Sequence, residues 1–482
     1  MSRSSSVLLF ALVWISAAWF GSWHGNPNNA VRLFAAISIV EEGDATIDQF
    51  QHLTIDKARF GQHFYLDKAP GMTLLAAPVV AAVDRVTGDR VAGKSLSIGS
   101  GPFDRYLIAR QWAAAAAINA TLLALAAVAL MDTGRRATGS IGAGAFAALS
   151  FALGTPLWGW ATTLFGHAAV ASLLIIAVRF VTKGTDRDRS RYDAAIAGFA
   201  LGLALLIEHT ALLFAIPVGL FALWRMRMLG GAGAVRATGK AVVAGAAGLM
   251  PLLAYNVAAF GDPFHLGYQS VVGWEGMEQG LFGLTYPRLS LVSEILFGTH
   301  RGLLWVAPIL LVAPIGILRA WRFGPRELAI LASVGAVTAV LYNAAYVYWD
   351  GGNSTGPRHA MPAVTFLALV LPMLWARAGR LDRWLLSGLL AVSIGINLTI
   401  ASAEIMAAWN VPHGLIDGVW RGRFLPGDIR TVPSQWFGVS PWMGLGIWAG
   451  VAAVLFLAFM LAIARQPHSA NIYRTDGATR RS

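Results

Sequence analysis

Residues 111–131 read QWAAAAAINATLLALAAVALM, a run of twenty-one residues without a charged side chain. A helix of about 20 such residues crosses roughly 30 Å of hydrocarbon. Only a helix or a closed barrel satisfies its backbone hydrogen bonds there, and the ten-residue alternation of a membrane barrel is absent. Working outward from this run, comparable apolar blocks lie at about 7–22, 105–131, 141–160, 163–181, 193–208, 209–225, 239–259, 302–320, 326–346, 360–378, 383–403 and 441–464. The sequence therefore predicts an all-α polytopic membrane protein with about 12–13 spanning helices, of which twelve are clear.

Composition agrees. Of 482 residues, 56% are hydrophobic and 13% charged, which excludes a string of soluble domains. The net charge of +12 sits in short runs between apolar blocks, so it serves membrane topology and not nucleic acid. With no cysteine there is no disulfide, thiolate metal site or cysteine nucleophile. The first apolar block is expected to remain as an uncleaved span, because Trp23-His24-Gly25-Asn26-Pro27 follows it in place of a small-x-small cleavage site.

Charge sets the expected orientation. With both termini cytoplasmic, alternation places Arg3, Arg135/Arg136, the runs 179–191, 225–240, 319–326 and 377–383, and the C-terminal tail inside. These hold 22 of the 37 Lys and Arg residues, the positive-inside pattern. Pro70 to Val83 is apolar but short, and counting it as a full span would invert every later loop. It reads as a half-span or a helix against the outer face, the alternative being a merged pair of spans. The chain is expected to form one membrane domain over 1–465, with a disordered cytoplasmic tail at 466–482.

Alternation leaves segments 23–104, 260–301, 347–359 and 404–440 on the outer side, and the unusual polar residues gather there. Val31 to Val40 has helical apolar spacing, with Arg32 and the Glu41/Glu42 pair near its ends, and reads as an amphipathic helix in the interface. The carboxylates Asp44, Asp48, Asp56 and Asp67 follow, and Asp67-Lys68-Ala69-Pro70-Gly71 closes the loop. Lys68 can meet a lipid phosphate as a point charge. Trp158 and Trp160 fit an interfacial belt, while His167 begins an apolar helix, either as a phosphate or cavity group or as a simple cap. Glu208-His209 lies between two apolar runs, where charge is costly unless paired or facing water. Arg301 breaks the positive-inside pattern at a helix start and is a candidate anion ligand.

The most specific string is YWDGGNSTGPRH, residues 348–359, a Gly-rich turn that contains Asp350 and ends in Arg358-His359 before a membrane helix. Such a turn suits a phosphate, or Arg358 snorkels to the interface. No P-loop, dinucleotide fingerprint, HExxH or serine-hydrolase elbow occurs in context.

The first span, the carboxylate-bearing loop, the KAPG string, the GTPLWGW...FGH hairpin and the late GPRH string, in that order, resemble the polytopic glycosyltransferases of the GT-C superfamily. The style is nearest to the bacterial protein mannosyltransferase and lipid A aminoarabinose transferase branch, over residues 1 to about 400. The resemblance implies a polyprenyl-phosphate sugar donor, transfer at the periplasmic face of the bacterial inner membrane, and a first-loop carboxylate as base. It gives Lys68, in the place of the family's KPP lysine, the donor-phosphate contact. Where those enzymes commonly carry an acidic pair soon after the first span, this chain has Asn28-Asn29, and neither can act as a base.

The mechanism so implied is inverting substitution at the anomeric carbon with a lipid phosphate leaving. The candidate bases are Asp48 first, then Asp56 and Asp67. Lys68, Arg358, His359, Arg301 and His167 are expected around the phosphate, and Arg32, Glu208, His209 and Asp350 in the substrate cavity. The acceptor is a glycan, lipid or protein. A divalent cation is compatible with the chemistry, but no ligand set demands one. Two competing readings are a transporter or flippase of lipid-linked sugar and a non-catalytic assembly subunit with the same fold. Transporters favour internal repeats and midplane sites, which this sequence lacks; Asn28-Asn29 keeps the second reading open.

Overall fold

The computed structural model describes residues 2–21, 25–99 and 101–466. The predicted tail from 467 onward and the Ser22–His24 junction lie outside the described residues. Eight described helices are long and apolar enough to cross a membrane: Gly101–Thr138, His167–Gly184, Ala211–Leu229, Gly231–Phe260, Arg326–Ala345, Arg358–Ala376, Arg380–Ser402 and Pro441–Ala464. Shorter apolar helices at Arg3–Ala18, Ile141–Ala152 and Asp193–Ile207 fall on three further predicted spans. The only sheet among the described residues is the two-stranded hairpin Ala58–Phe60/His63–Tyr65.

The remaining predicted span, 302–320, is broken into Leu303–Val306, a 3-10 turn Pro308–Val312 and Ala313–Phe323. Pro308 and Pro314 lack the N–H that a continuous helix needs. Neighbouring side chains satisfy the freed groups: Ile309 N–H donates to Ser393 Oγ at 2.8 Å, and Asn397 Nδ2 donates to the Val306 carbonyl at 2.8 Å. Polar side chains on the helix Arg380–Ser402 packed against it thus keep irregular backbone viable inside an apolar bundle.

Close helix packing depends on small residues, as in other membrane bundles. A Cβ at Gly198 or Gly202 would collide with the carbonyls of Ala241 and Gly245, so Asp193–Ile207 and Gly231–Phe260 touch backbone to backbone. Gly71 does the same at the start of the helix Gly71–Thr87, where a Cβ would lie 2.6 Å from the Leu206 carbonyl. That helix occupies the short apolar stretch at 70–83 and packs between Pro27–Glu41 and Gly101–Ala115. Its Asp84 pairs with Arg110 Nε at 2.7 Å, and both side chains are 1% exposed.

One end of the bundle carries the long connecting segments, and these are stitched to one another. Val272 N–H donates to the Lys57 carbonyl at 3.0 Å, joining the first loop to segment 260–301. Thr285 N–H reaches the Ala345 carbonyl, and Val347 N–H the Gly283 carbonyl, each at 2.9 Å, joining that segment to the 347–359 turn. Thr355 N–H donates to the Ile405 carbonyl at 2.7 Å, which brings in segment 404–440. The four segments that the sequence placed on one side therefore form one continuous cap.

Candidate functional site

Beneath this cap, three cations and three carboxylates meet. Arg32 lies on the helix Pro27–Glu41, which Asn26 caps and Pro27 starts in the usual N-terminal positions. Residues 29–38 of this helix are all buried, so the bundle covers it on every side. A guanidinium 1% exposed needs partners. Arg32 Nη2 donates to Glu208 Oε1 at 2.8 Å and Nη1 to the Asn28 carbonyl at 3.0 Å and the Asn28 side chain, while its enclosed Nε has no partner. Glu208 is placed by the end of Asp193–Ile207, where the chain turns extended before Ala211–Met226 begins.

Lys68 leaves the hairpin just ahead of Gly71–Thr87. Its ammonium bonds to Asp67 Oδ2 and lies 3.5 Å from Asp56 Oδ2, with side-chain exposures of 15% for Lys68, 8% for Asp56 and none for Asp67. Burial pushes the Asp67 carboxyl above its ordinary range, with Lys68 pulling it back, and Asp67 Oδ1 is enclosed without a partner. Burial also works against the Lys68 ammonium, but Asp56 and Asp67 outweigh it and hold the proton more tightly than usual. Thr73 Oγ1 donates to the Arg32 carbonyl at 3.0 Å and locks the two helices in register.

Arg358 comes from the Gly-rich turn and starts the last element of the site. Its guanidinium carbon lies 5.4 Å from the centroid of Phe165, and that of Arg32 lies 5.6 Å from the same ring. Asp56 and Glu208 are near enough to act on it electrostatically, yet among the described residues it has no hydrogen-bond acceptor or ion-pair partner, and its Nε is enclosed. His359 sits 4.8 Å from Tyr346 and 6.1 Å from His167, ring to ring, with Nε2 unpartnered. Lys68, His167, Arg358 and His359 are set deep among protein atoms but keep part of their surface accessible.

Phe165 is held from below by two asparagines. Asn119 Nδ2 donates to the carbonyls of Thr163 at 2.6 Å and Phe165 at 3.0 Å, and Asn29 Oδ1 accepts from Leu164 N–H at 2.7 Å. Asn119 lies in a π-helical turn, Ala116–Ala120, inside the long helix 101–138. Neither asparagine, nor Phe165, Tyr268 or Tyr346, was among the sequence candidates. The one sequence signal that could have found Asn119 is its place as the single Asn within the apolar run 111–131.

Other sequence candidates fall elsewhere. Asp48 opens the 3-10 turn Asp48–Phe50, its side chain 37% exposed and bonded to His63 Nδ1 at 2.6 Å and to Phe64 N–H at 2.6 Å; its carboxylate serves the hairpin, not the buried cluster. Arg301 is buried and spent on backbone, donating to the carbonyls of Asp350 at 3.2 Å, Gly352 at 2.8 Å, Ala408 at 3.3 Å and His300 at 3.4 Å. Burial lowers it to about 10, and Asp350 enters the site only as one of its anchors. His209 packs 5.7 Å from Tyr268 and burial lowers it to about 4, so it is neutral. Trp158 and Trp160 are fully buried and not part of a belt: Trp158 Nε1 donates to the Ser16 carbonyl at 2.9 Å, and Trp160 packs on Phe165 and His167. No group of three or more His, Asp or Glu side chains among the described residues is arranged to hold a metal ion.

No family model matches the chain, and no curated protein matches it in sequence. Among solved structures, ArnT from Cupriavidus metallidurans bound to undecaprenyl phosphate is similar with a TM-score of 0.52 at 16% identity, covering 96% of this chain and 72% of that one. The apo state of the same protein gives 0.47 at 15% identity, over 95% and 76%. The architecture of this chain, a helical membrane bundle capped at one end by its long loops, is similar to the GT-C fold of ArnT.

Proposed function

We propose that the chain is a membrane glycosyltransferase of the bacterial inner membrane, moving a sugar from a polyprenyl-phosphate donor to an acceptor at the periplasmic face, with both termini cytoplasmic. The observation that carries this reading is Arg358, a deep guanidinium with no hydrogen-bond acceptor or ion-pair partner among the described residues, near Lys68 and Arg32. A cation left unpaired in such a place is costly unless an anion completes it, and a lipid phosphate is the anion that a membrane crevice can receive. The ArnT structure with undecaprenyl phosphate supports the same ligand class by fold.

In the proposed reaction the acceptor oxygen attacks the anomeric carbon as the bond from that carbon to the phosphate oxygen breaks, inverting the centre. The proton of the acceptor passes to a carboxylate, and the electron pair leaves with the phosphate, where Lys68 and Arg358 meet the growing charge. Asp56 is the base in this scheme. Its contact with Lys68 is the looser one and its side chain is partly accessible, whereas Asp67 is fully buried and bonded to the ammonium it positions. The test is reconstitution with a panel of polyprenyl-phosphate sugars, following release of free polyprenyl phosphate. Turnover that Asp56→Asn abolishes supports the reading; lipid binding without turnover across glycan, lipid and protein acceptors favours a non-catalytic subunit.

A further inference from the structure

A second site lies at the opposite end of the bundle from the cap. A groove of about 330 Å³ is lined by Trp375, Arg380, Arg383, Trp384 and Ser387, where the chain passes from the helix Leu371–Ala376 into Arg380–Ser402. Trp375 forms its aromatic wall and stacks on Phe146 with centroids 5.0 Å apart. The Arg383 guanidinium carbon lies 5.7 Å from the Trp375 ring.

Part of the positive charge at this end of the bundle is neutralised by carboxylates. At the same end, Arg135, Arg136 and Arg179 converge on Asp132, and Arg225 pairs with Asp186 and Glu327. Arg380 and Arg383 meet no carboxylate among the described residues. The nearest in sequence, Asp382, is turned back to accept the Gly379 N–H at 3.3 Å. Beside the two guanidiniums, Leu381, Trp384 and Leu385 are 71%, 69% and 64% exposed, on a helix apolar enough to face lipid. Two free cations, an aromatic wall and an apolar ramp match a phosphate joined to acyl chains.

We infer that this groove holds the head group of an anionic glycerophospholipid from the adjacent leaflet, its phosphate between Arg380 and Arg383 and its chains along Trp384 and Leu385. The site is separate from the Arg358 cluster and does not rest on the proposed reaction.

Native mass spectrometry of the full chain, released from nanodiscs of phosphatidylglycerol and phosphatidylcholine, tests it. Wild type should retain phosphatidylglycerol selectively, and Arg380→Gln/Arg383→Gln should lower that retention at least tenfold. Arg187→Gln/Arg189→Gln removes the same charge from an exposed loop at the same end and should leave retention unchanged. Trp384→Ala should weaken retention with both cations intact. Millimolar inorganic phosphate should not displace the lipid. Equal retention in the Arg380/Arg383 variant, equal loss in the loop variant, or displacement by inorganic phosphate would overturn the inference.

Discussion

Replacing Arg358 by Gln separates a binding role from a structural one, because the two roles predict opposite changes in stability. The guanidinium has an enclosed, unpartnered Nε and no acceptor among the described residues. An unsatisfied enclosed donor costs about 1–3 kcal/mol, more when charged, and the accessible tip of the side chain reduces that figure by screening. Its face over Phe165, at 5.4 Å, returns about 0.5–1 kcal/mol. The balance favours Gln by about 0.5–2 kcal/mol in the lipid-free protein, a rise in midpoint of about 0.5–2 °C for a chain of this size. Binding moves the other way. Losing a hydrogen bond to a charged group costs about 1.5–3 kcal/mol, so polyprenyl phosphate should bind about 10- to 150-fold more weakly. Thermal unfolding in detergent without lipid, beside a titration with polyprenyl phosphate, reads both quantities. A lower midpoint with unchanged lipid affinity would refute the reasoning, since it would mean that Arg358 holds the fold and not a ligand.

Further expectations concern its neighbours. Asp56→Asn should lower kcat about 10²- to 10⁴-fold with lipid affinity intact, as expected for loss of a general base, whereas Asp67→Asn should act mainly on KM through the Lys68 ammonium it positions; steady-state kinetics in proteoliposomes distinguish them. His209 is depressed to about 4 in the folded state against an ordinary value of 6.5. Its stability contribution is therefore complete above pH 6.5 and lost as pH falls toward 4, so the midpoint should drop less steeply over that window in His209→Phe than in wild type. Arg301→Ala removes the donors for four backbone carbonyls and should cost on the order of 3 kcal/mol or more in unfolding assays, loosening the 347–359 turn in hydrogen exchange. Asn119→Ala frees the Thr163 and Phe165 carbonyls and should weaken polyprenyl phosphate binding by displacing Phe165; unchanged affinity would separate the clamp from the site.

The helical membrane class was legible in apolar run lengths, because the bilayer admits few structures and demands a stated length. Positions of the long segments followed from alternation, and they do share one end of the bundle. Glu208 was legible for a related reason: a charged residue beside an apolar run is expensive, so its presence marks a place where something compensates it, whereas Asp56, Asp67 and Lys68 stood out through the carboxylate-bearing loop and the KAPG string. Tertiary structure alone decided what compensates each. Arg301 and Arg358 look alike in sequence, both cations at a helix start, yet backbone carbonyls satisfy Arg301 while Arg358 has no acceptor among the described residues. Asp48 and Asp56 are eight residues apart in one loop, yet the folded loop turns one out to His63 and the other in toward Lys68. Run length and charge are properties of a segment, but a partner is a property of the space between segments, and that space exists only once the chain has packed.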